Sequence, residues 1–229
     1  MTISRRALIA GVGAGLAAPA AFAAGETAGG ARRYTILRGG AVVGSHTHDV
    51  RLDADGRVQV AIDIEMKIKV LGITAYRYEM ANRETWAGGR LLRMDSATND
   101  DGDQDYARVK PAGDMLEIDG SAHQGAVAGD AASTTYWTPA FLKRKLWINS
   151  QTGVPIAVTA ARIADGGVDA PFGRIATQRW TVTGENLDIT LHYANEEWVS
   201  VEFDAGGEPA QYIPDAMGPA FAPLWAASL

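Results

Sequence analysis

The alternation of apolar and polar residues between Val58 and Val70 constrains the fold more than any other feature of this sequence. Every even-numbered residue of this run is apolar, and nearly every odd-numbered one is polar. A period of two places successive side chains on opposite faces of a β-strand. The run therefore predicts a long strand with one face on a core, on which Ile62 and Ile64 point one way and Asp63 the other.

Turn signals separate further segments of this kind on both sides of the run. Asp55-Gly56 is typical of a hairpin turn, and Gly88-Gly89 and residues 99–103 mark two more. We count roughly eleven strands, and short connections make them antiparallel neighbours in a meander. A sheet of more than about ten strands must curl, split or close. The sequence therefore predicts an all-β fold, a large curled antiparallel meander in the form of a barrel or half-barrel.

One segment departs from this pattern and predicts the single short helix of the chain. Thr138 is a good N-cap and Pro139 suits a first helical turn, so we expect a helix from there to about Trp147. Aromatic side chains and the basic run Lys143-Arg144-Lys145 share this segment. Two interpretations stay open: a lid or contact surface for a ligand, membrane or partner, and a plug that covers one end of the core.

The first residues of the chain predict export. Ser4-Arg5-Arg6 followed by an uncharged run over residues 7–18 is the twin-arginine pattern, and Ala21-Phe22-Ala23 is typical of a signal peptidase site. We expect cleavage after Ala23 and a periplasmic or secreted protein. The predicted organisation is a signal peptide at 1–23, a flexible tether at 24–32, a single β domain at 33–215 and an irregular tail at 216–229.

Composition excludes several classes of function. The chain has no cysteine, which excludes disulfides, a thiol nucleophile and cysteine metal ligands. Its formal net charge is −6, and an acidic chain without a basic tract is poorly suited to nucleic acid. No apolar stretch after the signal peptide is long enough to span a bilayer. We therefore expect neither a nucleic-acid partner nor a transmembrane segment in the mature protein.

The candidate chemical motifs are weak. His46 and His48 lie on one strand face at a spacing that suits Zn or Cu, yet no third ligand is placed nearby, and a hydrogen-bonded or solvated pair is favoured. The acidic turn at residues 99–103 lacks the first and twelfth ligands of a calcium loop. No Gly-x-Ser-x-Gly elbow is present. We predict no cofactor and no metal site, and no catalytic residue is assigned.

Aromatic residues are the best candidates for ligand contacts. On the predicted inner faces and the predicted helix they are Tyr76, Tyr78, Tyr136, Trp137, Phe141 and Trp147. Such side chains offer apolar area at low entropic cost, which suits an amphipathic guest. The alternative is that they only fill the core.

Several short motifs resemble those of an uncharacterised family. Together with the export signal they are Tyr76-Arg77-Tyr78-Glu79, Thr98-Asn99-Asp100-Asp101-Gly102, Tyr136-Trp137-Thr138-Pro139 and Gly207-Glu208-Pro209. The chain resembles a domain-of-unknown-function family of exported Gram-negative β proteins. More loosely, the curled meander is similar to the periplasmic lipoprotein-carrier half-barrels. The resemblance implies no activity and no catalytic residues.

Three functions follow from these observations in order of preference. The first is an exported envelope protein that binds an apolar or amphipathic, lipid-like small molecule within the curled sheet. The second is a non-enzymatic structural or protein-interaction module of the periplasm. The third is a hydrolase-type enzyme, which the missing catalytic motifs disfavour.

Overall fold

The computed structural model describes residues 28–229, apart from the side chain of Val70, so the predicted signal peptide lies outside the described residues. Within them the chain forms seventeen strands, one 3-10 turn and one α-helix. The strands are β1 (Ala28–Arg38), β2 (Ala41–Leu52), β3 (Val58–Val70), β4 (Ile73–Ala87), β5 (Arg90–Asp100), β6 (Asp103–Ala112), β7 (Met115–Gly120), β8 (Gln124–Ala128), β9 (Ala132–Ser133), β10 (Leu146–Ile148), β11 (Pro155–Ala157), β12 (Thr159–Arg162), β13 (Gly166–Ala170), β14 (Gly173–Gly184), β15 (Leu187–Ala194), β16 (Glu197–Asp204) and β17 (Pro209–Pro214). The 3-10 turn spans Pro139–Lys143, and helix α1 spans Ala222–Ala227.

Fourteen of these strands form one antiparallel sheet that is not closed. Its order runs β12-β14-β15-β16-β17-β1-β2 and then in sequence to β8, while β13 pairs with β14. The predicted all-β curled meander is thereby confirmed. The strand count is higher than expected because β8 to β13 are only two to five residues long, too short for an alternating pattern to mark them.

Strand β3 follows the predicted alternation. Val60 and Ile62 are buried in the main core, whereas Asp63 is exposed and pairs with Arg83 on the outer face. Ile64 faces inward on the same side as Ile62 but is only half-buried. The inner face of the sheet therefore changes along β3 from a closely packed core to a less filled region.

The predicted helix after Thr138 is wrong in length. The hydroxyl of Thr138 accepts a hydrogen bond from the backbone N–H of Ala140, as expected of a cap, but the 3-10 turn ends at Lys143. Arg144 is already extended, and Trp147 lies in β10 of a second, three-stranded sheet between β9 and β11. Strand pairing on both sides of Trp147 replaces the helical hydrogen bonds.

Both ends of the chain's β domain are more ordered than expected. The predicted irregular tail contains α1, whose Leu224 and Trp225 are buried together with Phe221. Strand β1 begins at Ala28, inside the expected tether at residues 24–32, and Arg32 is buried. Among the described residues, no helix has the length and apolar character needed to cross a bilayer.

The two ends of the curled sheet differ in packing. At the end that carries the β4–β5 turn, Trp86 stacks on Phe141 with ring centroids 4.8 Å apart, and Trp225 lies 5.8 Å from Trp86. We call this the closed end. At the opposite end, which carries the β3–β4 and β5–β6 turns, the inward-facing Met66 and Tyr78 are only half-buried. We call this the open end.

Candidate functional site

A group of aromatic and imidazole side chains lies on the inner face where β1 meets β2, β16 and β17. The inner polar cluster comprises Tyr34, His46, His48, Trp198 and Tyr212. Tyr34 pairs with His46 across β1 and β2. The imidazole centroids of His46 and His48 are 4.3 Å apart, because residues two positions apart on one strand lie on the same face. Trp198 lies at the centre, 4.3 Å from Tyr34 and 4.8 Å from His48, measured between ring centroids.

The inner polar cluster carries polar atoms that the described part of the chain leaves without a partner. Both ring nitrogens of His46, both of His48 and the indole nitrogen of Trp198 are buried and make no hydrogen bond. Buried polar groups in folded proteins are nearly always paired, and each unpaired one costs about 1–3 kcal/mol. Five such atoms in one cluster therefore mark a place where a polar guest or ordered water would be stabilised.

The unpaired atoms continue across the sheet from His48. Along one row of the inner face, His48 on β2 is followed by Ile62 on β3, Asn82 on β4 and Ser96 on β5. The side-chain oxygens of Asn82 and Ser96 are also buried and unpartnered within the described residues. The row thus crosses four strands, three of which contribute a polar side chain to the interior.

Burial keeps the two imidazoles neutral at physiological pH. It lowers the pKa of His46 to about 3. Burial, and next the charges of His46 and Arg32, hold the pKa of His48 well below its usual range. A neutral imidazole has one donor and one acceptor nitrogen. The pair can therefore bind a hydroxyl, an amide or a protonated acid in either sense of hydrogen bonding.

Tyrosine side chains lead from the inner polar cluster towards the open end. Burial raises the pKa of Tyr212 well above its usual value, and the neighbouring phenols of Tyr136, Tyr78 and Tyr76 raise it further. The ring of Tyr136 lies 5.4 Å from that of Trp198. These four tyrosines therefore converge on one interior region although they come from three separate parts of the chain.

A hydrogen-bond network fixes the rim of this region. The hydroxyl of Tyr76 donates to a carboxylate oxygen of Asp100 at 2.7 Å, and that of Tyr78 donates to Gln151 at 3.3 Å. The amide of Gln151 donates in turn to Asp100 and, at 2.9 Å, to Asp105. The acidic turn at residues 99–103, which lacks the ligands of a calcium loop, thus orients the tyrosines of the open end through Asp100.

A buried carboxyl group lies deeper in the interior, on the closed side. Glu84 accepts hydrogen bonds from the amide of Asn82 at 2.9 Å and from the indole N–H of Trp86 at 2.8 Å. Burial is the main effect on its pKa, which is raised above the usual value for a glutamate. Glu84 and Asn82 occupy even-numbered, inward-facing positions of β4, where the alternation calls for apolar residues. Polar residues at such positions were the sequence signal of this buried polar group, and the sequence analysis did not use it.

The six predicted ligand-binding residues fall into two groups. Tyr76, Tyr78 and Tyr136 lie together between the inner polar cluster and the open end. Trp137, Phe141 and Trp147 are fully buried, and the first two pack with Trp86 and Trp225 at the closed end. The ring of Trp147 lies 6.5 Å from that of Tyr136 and so links the two groups. The six residues are therefore spread along the interior rather than gathered at one mouth.

The basic run Lys143-Arg144-Lys145 also lies at the closed end. There Arg144 donates a hydrogen bond to the carbonyl of Gly89 at 2.8 Å. The run therefore lies at the opposite end of the sheet from Tyr76 and Tyr78.

His46 and His48 lack the further ligands that a metal site needs. Among residues 28–229, no three His, Asp or Glu side chains group together in a way suited to a metal ion. The neighbours of the two imidazoles are Tyr34, Trp198 and Tyr212, which offer rings rather than carboxylates. This environment favours hydrogen bonding to an organic guest over coordination.

A hydroxyl–imidazole–carboxylate arrangement occurs on the outer face. Thr177 Oγ1 lies 3.0 Å from His192 Nδ1, and His192 Nε2 lies 3.2 Å from Glu202 Oε1. Glu202 borders a groove of about 1130 Å³. Thr177, however, is buried where β14 pairs with Gly166 of β13. A substrate carbonyl in the groove would meet the carboxylate and not the hydroxyl, which disfavours nucleophilic catalysis.

Comparisons with known proteins agree with the fold. The chain is similar to the crystal structure of a β-barrel-like protein of the domain of unknown function DUF1849 from Brucella abortus, with a TM-score of 0.58, 10% sequence identity and coverage of 83% of this chain and 97% of that chain. At this identity the likeness concerns the fold alone. No curated protein matches the chain. The family described as "Domain of unknown function (DUF6134)" matches residues 34–215, which confirms the resemblance to an uncharacterised β family. The chain belongs to the DUF6134 family.

Proposed function

We propose that this protein is exported to the cell envelope and holds an amphipathic small molecule inside its curled sheet. One observation carries the proposal: the four ring nitrogens of His46 and His48 are buried and unpartnered within the described chain. Each buried polar atom without a hydrogen bond destabilises the folded state. A guest whose polar head hydrogen-bonds these nitrogens would remove most of that cost. Its apolar part would extend towards the open end.

The head-group chemistry follows from the inner polar cluster. Two neutral imidazoles and the indole N–H of Trp198 together offer three donors and two acceptors. A hydroxyl, an amide or a protonated carboxylic acid satisfies them. A permanently cationic head is disfavoured, because the guanidinium of Arg32 lies close enough to lower the pKa of His48.

The apolar part of the site is formed by inward-facing side chains near the open end. Ile64, Met66, Leu187 and Phe203 pack against the main core yet remain half-buried. Covering their exposed apolar surface with a guest would stabilise the complex by about 25 cal/mol for each Å² removed from water. An acyl or isoprenoid chain has the shape and polarity to cover them.

The proposed location rests on the first residues of the chain. Arg5 and Arg6 precede an uncharged run and a small-residue cleavage pattern, which together are typical of twin-arginine export. A fold without cysteine has no need of the oxidising periplasm for disulfide formation. It therefore suits a route that carries folded proteins.

A ligand titration tests the proposal. Palmitate or geranylgeraniol added to the delipidated protein should change its tryptophan fluorescence, since Trp198 lies in the inner polar cluster. It should also raise the melting temperature. At 100 times Kd a ligand stabilises the folded state by about 2.7 kcal/mol, roughly 5–10 °C for a chain of this size. Flat titrations across both ligand classes would contradict the proposal.

A matched pair of variants locates the bound ligand. Met66→Trp places a bulky ring on the inner face at the half-buried region, whereas Glu65→Trp places the same ring on the outer face of β3. We expect Met66→Trp to abolish the ligand-induced melting shift and Glu65→Trp to retain it. Equal shifts in the two variants would place the ligand elsewhere.

A further inference from the structure

The β3–β4 hairpin continues past its last pairs with both neighbouring strands at the open end. Its pairing with β2 ends where Met66 faces Gly44, and its pairing with β5 ends where Tyr78 faces Asp100. Residues 67–77 continue as a two-stranded ribbon with no further strand neighbour in the described part of the chain. At about 3.4 Å per residue, this projecting hairpin is roughly 17 Å long, measured from its last pairs with β2 and β5.

The tip of the projecting hairpin is apolar and uncovered. Leu71 is 97% exposed and Ile73 is 74% exposed. Val42, on the adjacent β1–β2 hairpin at the same end, is 70% exposed. A two-stranded ribbon has no core of its own in which to bury such side chains. Exposed apolar groups gathered on one projection are typical of an interaction site.

The charge of the projecting hairpin differs from that of the protein. Residues 67–77 include Lys67, Lys69 and Arg77 but no acidic residue, in a chain whose formal net charge is −6. Both lysines are exposed on the outer face. Arg77, opposite Lys67 in the register of the ribbon, forms an ion pair with Glu79, so the two lysines supply the exposed positive charge. Apolar residues at a tip with cations behind them match the layering of an anionic lipid surface.

We infer that the projecting hairpin docks the protein onto an anionic lipid surface. Leu71 and Ile73 enter the region between head groups and acyl chains, while Lys67 and Lys69 extend along the ribbon to meet lipid phosphates. The acidic β5–β6 turn at the same end, with Asp100, Asp101 and Asp103, is repelled by the same surface, so that only the tip of the hairpin reaches it. Docking is thereby confined to one end of the molecule.

The position of the hairpin connects this surface to the interior. Ile68 and Tyr76 pair on the inner face of the ribbon, and Met66 and Tyr78 continue that face into the open end. An amphipathic molecule that leaves the bilayer beside the hairpin would meet a continuous apolar path. This connection rests on the proposed ligand-binding function, whereas docking itself does not.

A single fluorescent label tests insertion directly. Because the chain has no cysteine, Leu71→Cys gives one attachment site for an environment-sensitive NBD group. Phe172→Cys is the matched control, because Phe172 is 50% exposed and lies on the distant β13–β14 turn. We expect vesicles of phosphatidylcholine with about 30% phosphatidylglycerol to raise the NBD emission severalfold at position 71 only. No change at position 71, or the same change at 172, would overturn the inference.

Vesicle cosedimentation tests the contributions of charge and apolar contact. The full chain and a form beginning at Ala24 are compared, so that the leader's own affinity for lipid is subtracted. Leu71→Ser/Ile73→Ser should abolish binding, and Lys67→Gln/Lys69→Gln should weaken it about 30-fold, or roughly fivefold per lysine. Arg93→Gln/Lys110→Gln, which removes two exposed cations elsewhere, should leave it unchanged.

The outcomes separate docking from ligand binding. The Leu71→Ser/Ile73→Ser variant should still show the palmitate-induced melting shift, because neither residue lies in the inner polar cluster. If the protein binds vesicles but palmitate does not shift its melting temperature, the proposed function is refuted and the docking inference stands. Cosedimentation that is insensitive to the tip variant, or a dimer in solution that the tip variant dissociates, would overturn docking.

Discussion

The guanidinium of Arg32 and the carboxylate of Glu197 form a buried ion pair, with 2.7 Å between Nη2 and Oε2. Glu197 also accepts hydrogen bonds from the backbone N–H groups of Phe221 and Ala222, at the start of α1. Arg32 donates a second bond to the carbonyl of Pro219. The pair thus joins β1 and β16 to the C-terminal segment that covers the closed end.

Glu197→Gln should destabilise the fold strongly. The substitution leaves the buried guanidinium of Arg32 without its countercharge, and breaking such a pair costs about 3–5 kcal/mol. Glu117→Gln is the control, because its pair with Lys110 is exposed and should be worth less than about 1 kcal/mol. Urea unfolding of both variants measures the difference. Similar losses would mean that the Arg32–Glu197 pair is not buried in solution.

Acid should destabilise the protein through His46 and His48. Their folded-state pKa values are depressed, so below about pH 6.5 the unfolded chain binds protons that the folded chain does not. Stability contributed by each imidazole is then lost as the pH falls from about 6.5 towards the folded pKa, at up to about 1.4 kcal/mol per pH unit.

The double variant His46→Gln/His48→Gln isolates this effect. Its free energy of unfolding should fall less steeply than that of the wild type between about pH 6.5 and 4.5, while the two slopes agree above about pH 7.5. Unfolding titrations at several pH values provide the measurement. Parallel slopes over the acidic range would show that the imidazoles are accessible to protons in the folded state.

Truncations along β3 should reveal where the interior is filled. Ile62 is 1% exposed, so Ile62→Ala should cost about 2–5 kcal/mol. Ile64 is half-buried one step closer to the open end, and Ile64→Ala should cost less than half as much. Chemical denaturation compares the two. An equal cost would mean that the interior is closely packed up to the rim and has no room for a guest.

Export is tested at the two arginines. Arg5→Lys/Arg6→Lys should leave the precursor in the cytoplasm, whereas the wild type should appear in the periplasm with Ala24 as its first residue. Cell fractionation and mass determination of the N-terminus follow both. Undiminished export of the double-lysine protein would exclude the twin-arginine route.

The sequence predicted the fold class because β3 carries its alternation over thirteen residues. It did not predict β10, since Trp147 and its neighbours are buried by strand pairing on two sides and show no period. The aromatic run around Trp137 could belong to a plug or to a lid. Only the packing of Trp137 and Phe141 against Trp225, and of Phe141 against Trp86, distinguishes them.

The candidate site was only partly predictable. Tyr76 and Tyr78 stood out as aromatic residues in an inward register, and His46 and His48 as a pair with ligand spacing. Trp198 gave no signal, because its role depends on β16 lying near β1 and β2, and that neighbourhood results from β17 pairing with β1 across most of the chain length.

Native mass spectrometry of the protein purified from its own envelope tests the central claim most directly. We expect a folded species heavier than the polypeptide by one amphipathic molecule. Denaturation should release this molecule, and Met66→Trp should lack it while Glu65→Trp retains it. A folded wild-type protein with the bare polypeptide mass, combined with flat palmitate and geranylgeraniol titrations, would contradict it.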